Sequence, residues 1–274
     1  MKKRILIPCL LLAGSLTACE SGMVTKGVPY KEGDAAKVSE ALKTEKKDSL
    51  KAIKFESTAI VEMTAKASGE KESVKATADL VANVDLEGKT IDMDVKSSAK
   101  GSGQSASFKA SAKAKDNGSG AMTITSTDGD YAQIAKDFDF DGIYANATFG
   151  IYSWNFTLGT SELDSVVSQI GSDMKGLIND LSANILLDGD VEKGTFDVGI
   201  SKEITGNINA GGSDIGASMN MNFTVTKMKY TFKDCLLRSS IIEMKANADY
   251  SLFGENASLE YVISNKLDVS YTTK

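Results

Sequence analysis

Three aspartates at alternating positions form the clearest metal-binding pattern in this chain of 274 residues. Asp137, Asp139 and Asp141 match positions 1, 3 and 5 of a calcium loop, and Gly142 matches position 6, where such loops turn. Position 12, where the loop has its bidentate Glu, is Thr148. The pattern therefore predicts at most a partial calcium site, and no other cofactor is expected. The alternative is a strand that ends in a turn at Asp141-Gly142.

The other reactive residues do not form a recognisable catalytic set. The chain has no histidine, which excludes the usual Ser-His-Asp and Cys-His sites and His-ligated zinc. Two Ser-x-x-Lys sequences, Ser97 to Lys100 and Ser172 to Lys175, lack the Ser-Asp-Asn and Lys-Thr-Gly partners of penicillin-binding serine enzymes. Cys235 has no histidine to activate it. A net charge of −6 argues against nucleic acid as a partner. We expect a protein that is not an enzyme.

Residues 1–18 have the layout of a secretory signal peptide. A basic start, Met1-Lys2-Lys3-Arg4, precedes an apolar segment from Ile5 to Ala18 that is shorter than the ~20 residues of a membrane-spanning helix. The segment ends in Leu16-Thr17-Ala18-Cys19, which resembles the lipobox of bacterial lipoproteins. This resemblance implies diacylglycerol on the Cys19 thiol and cleavage before Cys19. The alternative is an ordinary signal peptide with a chance cysteine.

Acylation of Cys19 would anchor the protein to the bacterial cell envelope on its extracytoplasmic side. Glu20 follows the cysteine, where an Asp would resemble an inner-membrane retention signal. We therefore expect the outer membrane in a cell with two membranes, and the outer face of the cytoplasmic membrane in a cell with one. Removal of residues 1–18 takes away three positive charges and no negative ones, so the net charge of −6 becomes −9. Cys235 is then the only free thiol, so the core must stabilise the fold without a disulfide.

The rest of the chain is expected to consist of a spacer and one domain. Residues 19–33 contain glycine and proline with little periodicity and predict a flexible tether. Residues 34–274 predict a single domain that begins with a helix at about 34–53, with Asp34 as its N-cap. A second, amphipathic helix is expected at about 161–185.

Between and after these helices, apolar residues alternate with polar ones, which predicts antiparallel strands with one wet face. Turn sequences separate the strands: Ser68-Gly69-Glu70, Glu87-Gly88-Lys89, Gly101-Ser102-Gly103, Asp116-Asn117-Gly118 and Asp188-Gly189-Asp190. The expected fold is mainly β (α+β). It is a large curved antiparallel sheet or half-barrel, with both helices on its concave face.

The apolar positions of the strands are small or flexible, which suggests a ligand-binding face. The candidate residues are Ala76, Ala78, Ala110, Ala112, Met219 and Met221 from the strands and Leu163, Val167, Ile170 and Met174 from the second helix. Alanine fills little volume and methionine adapts to variable apolar partners, so this face could enclose a cavity for acyl chains. The alternative is a tightly packed core of helix on sheet.

The order of elements, from an acylated N-terminus through a helix, a β-meander, a central helix and further strands, resembles the LolA/LolB and LppX/LprG-like superfamily. That superfamily carries lipoproteins or lipids through the envelope on half-barrel sheets. The resemblance implies a membrane-anchored lipoprotein that binds or carries a lipid or another apolar ligand between sheet and helices. The alternative is a non-catalytic surface lipoprotein with a structural or interaction role and a filled core.

Overall fold

The computed structural model describes residues 22–30, 34, 37, 49–67, 69–116, 122–126, 183–212, 217–252 and 255–274. The described residues form antiparallel strands that belong to one open sheet, which confirms the mainly β class. The strands are β1 (Val28–Pro29), β2 (Leu50–Ala67), β3 (Glu70–Asp85), β4 (Thr90–Gly101), β5 (Gln104–Asp116), β6 (Met122–Ser126), β7 (Ile185–Asp190), β8 (Thr195–Ile200), β9 (Ile204–Gly212), β10 (Ala217–Lys233), β11 (Leu236–Leu252) and β12 (Glu255–Thr273).

Two runs of hairpins make up the sheet and meet at its centre. The strand order is β1-β7-β8-β10-β11-β12-β2-β3-β4-β5-β6, and β9 pairs with the first half of β10. The last strand, β12, lies beside β2 along almost its full length, from Ala257 opposite Ala67 to Thr273 opposite Leu50. This contact between the two ends of the domain joins the two runs into one sheet.

Local turn chemistry places the first run in register. The turns expected at Gly69, at Gly88 and at Ser102-Gly103 are confirmed, because β2, β3, β4 and β5 follow one another as hairpins. Gly69 and Gly103 have φ of 84° and 74°, which glycine adopts without strain. The Asp85 carboxylate accepts hydrogen bonds from the backbone N–H groups of Glu87 and Gly88, which closes the β3–β4 turn.

A β-bulge in β10 keeps its apolar residues on one face. Val225 pairs with Met244 and Met228 pairs with Ile242, and these two partners are two residues apart on β11. Thr226 is the extra residue of the bulge. The apolar residues at odd-numbered positions before Thr226 and at even-numbered positions after it therefore lie on the same face of the sheet.

The hydrophobic core lies at one end of this apolar face. Its most deeply buried large side chains are Phe232, Ile53, Ile185, Ile200, Leu237, Val84 and Val198. The rings of Phe196 and Phe232 stack with their centroids 4.7 Å apart. The Tyr271 hydroxyl donates a hydrogen bond to the Leu237 carbonyl at 2.7 Å, and the Arg238 guanidinium lies 4.9 Å from the centre of the Tyr271 ring. Each fully buried aliphatic or aromatic side chain here contributes roughly 1.5–3 kcal/mol to folding.

The N-terminal segment is bound to the sheet, so the prediction of a flexible tether over 19–33 is wrong for residues 22–30. We call residues 22–30 the strap. Val24 N donates to Ile200 O, and Tyr30 N donates to Ile185 O, both at 2.9 Å. Between these contacts β1 pairs with Leu186 and Leu187 of β7. The strap therefore crosses the open end of the β7–β8 hairpin and covers its outer edge.

Two side chains and one glycine explain why the strap stays in place. Val24 and Tyr30 are 3% and 6% exposed and pack into the core. Burial, and then the negative charge of Asp34, raise the pKa of the Tyr30 hydroxyl. Gly27 has a φ of 118°, and a Cβ atom there would lie 2.2 Å from the Leu187 carbonyl oxygen. The glycine that suggested flexibility is thus a requirement of close backbone packing.

Three expected boundaries differ from the structure. The first helix cannot extend to Ile53, because β2 begins at Leu50, and Leu50 and Ile53 are buried in the core. Asp188-Gly189-Asp190 ends β7 and is not a hairpin turn; the turn is formed by the next residues, 191–194. Ala183 and Asn184 are helical and β7 begins at Ile185, while 161–182 lie outside the described residues. Asp34 and Lys37 are also helical.

In the part of the chain that the structure describes, no helix is both long and apolar enough to cross a membrane.

Candidate functional site

The apolar face of the sheet carries every described residue of the predicted ligand-binding set. Ala76 and Ala78 lie on β3, opposite Val61 and Ala59 of β2. Both alanines are half-buried. On β2, Ala59 and Val61 are an even number of residues from Ile53, which is buried in the core. Side chains alternate along a strand and paired residues share a face, so Ala76 and Ala78 lie on the same face as the core.

The other predicted residues lie on both sides of this pair. Ala110 and Ala112 of β5 are opposite Val95 and Met93 of β4, two strands and roughly 10 Å from β3. Met219 and Met221 of β10 are half-buried and lie four strands, or roughly 19 Å along the sheet, in the other direction. By strand register, the six strand residues of the set therefore fall on one face, but in two groups on opposite sides of the β2–β12 centre.

Across this face, from β9 to β5, the side chains become both smaller and less buried. One row of paired residues crosses seven pairings from β9 to β5: Ile204, Val225, Met244, Ile263, Val61, Ala76, Ala99 and Ala106. Ile204 and Val225 are buried, the residues from Met244 to Ala99 are half-buried, and Ala106 is exposed. The row thus runs from large packed side chains to small ones with free surface.

A polar spot interrupts the apolar face at its centre, and sequence reasoning missed it. Asn265 of β12 pairs with Ala59 and Ile242, so its side chain belongs to the apolar face. Ser57 of β2 and Ser240 of β11 are both opposite Leu267, one pair further along, and are 6% and 4% exposed. The available signal was the polar residue at position 265, which breaks the apolar alternation of β12 from Ala257 to Tyr271.

Tyr230 adds a hydroxyl at the border of this polar spot. It pairs with Ser240 and is 7% exposed. Burial raises the pKa of Tyr230 to about 12, so the hydroxyl stays protonated at physiological pH. The centre of the face therefore contains neutral polar groups, most of them buried, within apolar surroundings.

The opposite face is polar and is crossed by ion pairs between neighbouring strands. Lys75 contacts Glu62 at 2.5 Å, Lys113 contacts Asp92 at 3.4 Å, and Lys66 contacts Glu260. These side chains are about half exposed or more, so water and salt screen the charges and each pair contributes little to stability. These ion pairs are typical of solvated parts of a sheet, whereas Ile241, Ser264 and Lys266 form a buried region on the same face.

Several predicted residues fall on parts of the chain outside the described residues. They are the lipidation residue Cys19, the calcium candidates Asp137, Asp139 and Asp141, and the helix positions Leu163, Val167, Ile170 and Met174. Among the residues that are described, no group of three or more Cys, Asp or Glu could hold a metal ion. Calcium therefore remains a prediction from the sequence. Cys235, also within the described residues, is free and half-buried.

The fold and its two-faced sheet define the class: a mainly antiparallel β protein with one polar and one apolar face. No protein-family model and no curated protein matches the chain. One solved structure of some similarity is a DUF1329 family protein from Desulfovibrio piger, with 11% identity over 86% of this chain and 90% of that one. Its TM-score is 0.12, so this likeness carries no argument about fold or function.

Proposed function

We propose that this protein is a membrane-anchored extracytoplasmic lipoprotein that binds or carries a lipid or another apolar ligand on the apolar face of its sheet. The observation that carries the proposal is the gradient across that face, from buried Ile204 to half-buried Ala76 and exposed Ala106. Apolar surface that the protein itself leaves in partial contact with water gains free energy when a ligand covers it, by roughly 25 cal/mol per Å².

The chemistry of the face suits an apolar ligand. Alanine side chains on β3 and β5 fill little volume, and the methionines of β10 can adjust to chains of different shape. The ligand would lie along the half-buried strands of this face.

The membrane anchor rests on the lipobox-like sequence. Diacylglycerol on Cys19 would hold the domain at the extracytoplasmic surface of the envelope, in the outer membrane of a cell with two membranes. The protein would act without catalysis, since its task is to shield an apolar molecule from water.

Native purification followed by mass spectrometry tests ligand binding. We expect lipids to co-purify with the wild-type protein. The Ala78→Leu variant, which fills the face, should retain several-fold less lipid. Thr77→Leu, the adjacent position on the opposite face, is the matched control and should retain the wild-type amount. Absence of bound lipid, together with no binding of a fluorescent fatty acid, would refute the proposal.

A surface lipoprotein with a filled core is the second candidate, and one observation favours it. Of the described large hydrophobic side chains, Val28 alone is exposed, so the large side chains of the apolar face are already mostly covered. In that case Ala78→Leu would overpack the core and lower the stability, by about 1–3 kcal/mol, without any change in bound lipid. Equal lipid content in the Ala78 and Thr77 variants, with Ala78→Leu clearly less stable, is the result expected for this alternative.

A further inference from the structure

We propose that the domain lies directly on the lipid surface, with the strap and the gap between β8 and β9 turned towards the membrane. This inference rests on the proposed acylation of Cys19. It goes beyond it by naming the surface that contacts the lipid headgroups and by replacing a swinging tether with a fixed orientation.

The bound strap begins beside β10. The N–H of Met228 donates a hydrogen bond to the carbonyl of Gly22 at 2.9 Å. A Cβ atom on Gly22 would lie 2.5 Å from the side chain of Lys227, so backbone and side chain are in close contact. Gly22 thus fills the gap on β10 between the end of β8 at Ile200 and the start of β9 at Ile204.

Few residues separate Cys19 from the start of the strap. Cys19 is three residues before Gly22, and three residues span at most ~11 Å however they are arranged. The headgroup region of a bilayer leaflet is itself roughly 5–8 Å thick. Acyl chains on Cys19 can therefore enter the hydrocarbon only if the protein surface around Gly22 is at, or nearly at, the headgroups.

The strap is held to the sheet along its length. Val24 and Tyr30 are hydrogen-bonded to Ile200 and Ile185, and β1 is paired with β7. Release of the strap would expose the buried side chains of Val24 and Tyr30, which we estimate to cost several kcal/mol. The surface near Gly22 is therefore fixed relative to the whole sheet.

The chemistry of this surface suits a lipid interface. Val28 is 58% exposed and is the large hydrophobic residue that the described part of the chain leaves open to solvent. Lys26 in the strap and Lys202 in the β8–β9 connection are exposed, and so are Glu203 in that connection and Asp188, whose Cα lies 3.0 Å from the Cβ position of Gly27. These opposite charges balance, so the exposed apolar side chain of Val28 can approach the headgroups here without local repulsion, although the mature chain is expected to carry −9 overall.

Depth-dependent fluorescence quenching tests this orientation on the full lipidated protein. The protein is reconstituted in vesicles of phosphatidylcholine with a minority of phosphatidylglycerol, with Cys235→Ser to remove the native thiol. An environment-sensitive fluorophore is attached to Val28→Cys or, as the control, to Gln104→Cys in the distant β4–β5 hairpin. We expect spin-labelled lipids to quench position 28 at least threefold more strongly than position 104.

A linker variant makes the result specific to chain reach. A flexible Gly/Ser insert of about 12 residues after Ser21 adds a span of roughly 20 Å, and we expect it to lower the quenching at position 28 markedly while the protein still floats with vesicles. Equal quenching of positions 28 and 104 in an acylated, floating protein would overturn the docked orientation alone. A mass spectrum without diacylglycerol on Cys19, and no flotation, would overturn the anchor and the orientation together.

Discussion

At the scale of single residues, the β-bulge at Thr226 places a carboxylate within reach of two donors. Thr226 Oγ1 and Lys227 Nζ each bind the Glu243 carboxylate at 2.8 Å, and the Glu243 side chain is 19% exposed. Burial alone would raise the pKa of Glu243, but the hydrogen bonds from Lys227 and Thr226 outweigh it, so the pKa is lowered. The ionised form is therefore preferred more strongly in the folded than in the unfolded chain.

We expect Glu243→Gln to lower the free energy of unfolding by about 1–2 kcal/mol at pH 7. Because the folded-state pKa lies below the unfolded one, the stabilisation is present above the unfolded pKa and is lost as pH falls through the folded pKa. The difference between wild type and variant should therefore shrink in acid, as measured by urea unfolding at pH 7 and pH 3. Glu62→Gln, which removes an exposed ion pair with Lys75, is the control and should change stability by less than ~0.5 kcal/mol. Equal effects of the two variants would contradict this role of Glu243.

The β10–β11 hairpin contains a conformational strain at its tip. Asp234 and Cys235 have φ of 56° and 61°, which is the geometry of a type I′ turn. Glycine is preferred at the second of these positions, and here a cysteine occupies it. The backbone N–H of Cys235 donates to the Gly194 carbonyl at 2.9 Å, a bond that any non-proline residue would keep.

Cys235→Gly is expected to raise the free energy of unfolding by about 0.5–1 kcal/mol, because glycine adopts positive φ without strain. Cys235→Ala is the matched control, since it also lacks the thiol but keeps Cβ in the left-handed region. Thermal and chemical unfolding of both variants gives the comparison. If the glycine variant were no more stable than the alanine variant, backbone strain at this turn would not limit stability.

At the scale of elements, the strap depends on one close approach between backbones. Gly27 has both a positive φ and a Cβ position blocked by the Leu187 carbonyl. Gly69 in the β2–β3 turn also has a positive φ, but nothing lies within 4 Å of its Cβ position. The two glycines therefore separate the effect of backbone conformation from the effect of crowding.

We expect Gly27→Ala to lower the free energy of unfolding by at least about 2 kcal/mol, and Gly69→Ala by only about 1 kcal/mol. Amide hydrogen exchange should show loss of protection at Val24 and Tyr30 in the first variant, because the strap separates from β7 and β8. Similar losses of stability in both variants, with Val24 still protected, would mean that the strap tolerates the added methyl group.

At the scale of the whole molecule, one strand joins the two halves of the sheet. β12 pairs with β11 on one side and with β2 on the other, so a residue such as Lys66 meets Glu260, 194 positions along the chain. Contacts of such sequence separation slow folding, because a long loop must close before they form. The central position of β12 also means that its backbone groups have ladder partners on both edges.

Val262→Pro is expected to prevent cooperative folding, because proline removes a ladder hydrogen bond and clashes with the neighbouring strand at the centre of the sheet. Thr125→Pro, in the edge strand β6, is the control and should leave a folded protein. Circular dichroism and the yield of soluble protein distinguish the outcomes. A folded Val262→Pro protein would contradict the joining role of β12.

The β-strands and their faces could be read from the sequence because both depend on neighbouring residues. Alternation at Ala76 and Ala78, or at Met219 and Met221, fixes which face each residue occupies once a strand forms. The turns at Gly88 and Ser102 are local as well, since they involve a few adjacent residues. The small side chains of the candidate face followed directly from the residue types at these alternating positions, whereas their degree of burial did not.

The tertiary structure decided what depends on distant residues. Residues 50–53 satisfy a helical stripe as well as a strand, and pairing of Leu50 and Ile53 with β12 selects the strand. A glycine at position 27 is compatible with a flexible tether and with tight backbone packing. The pairing of β1 with β7, which brings the Leu187 carbonyl against Gly27, selects the packed arrangement. The sequence by itself determined an alternating β chain with one apolar face; only the tertiary structure joined β12 to β2, bound the strap and placed Asn265 in that face. Strand pairing across nearly 200 residues is selected by total packing, which no local window contains.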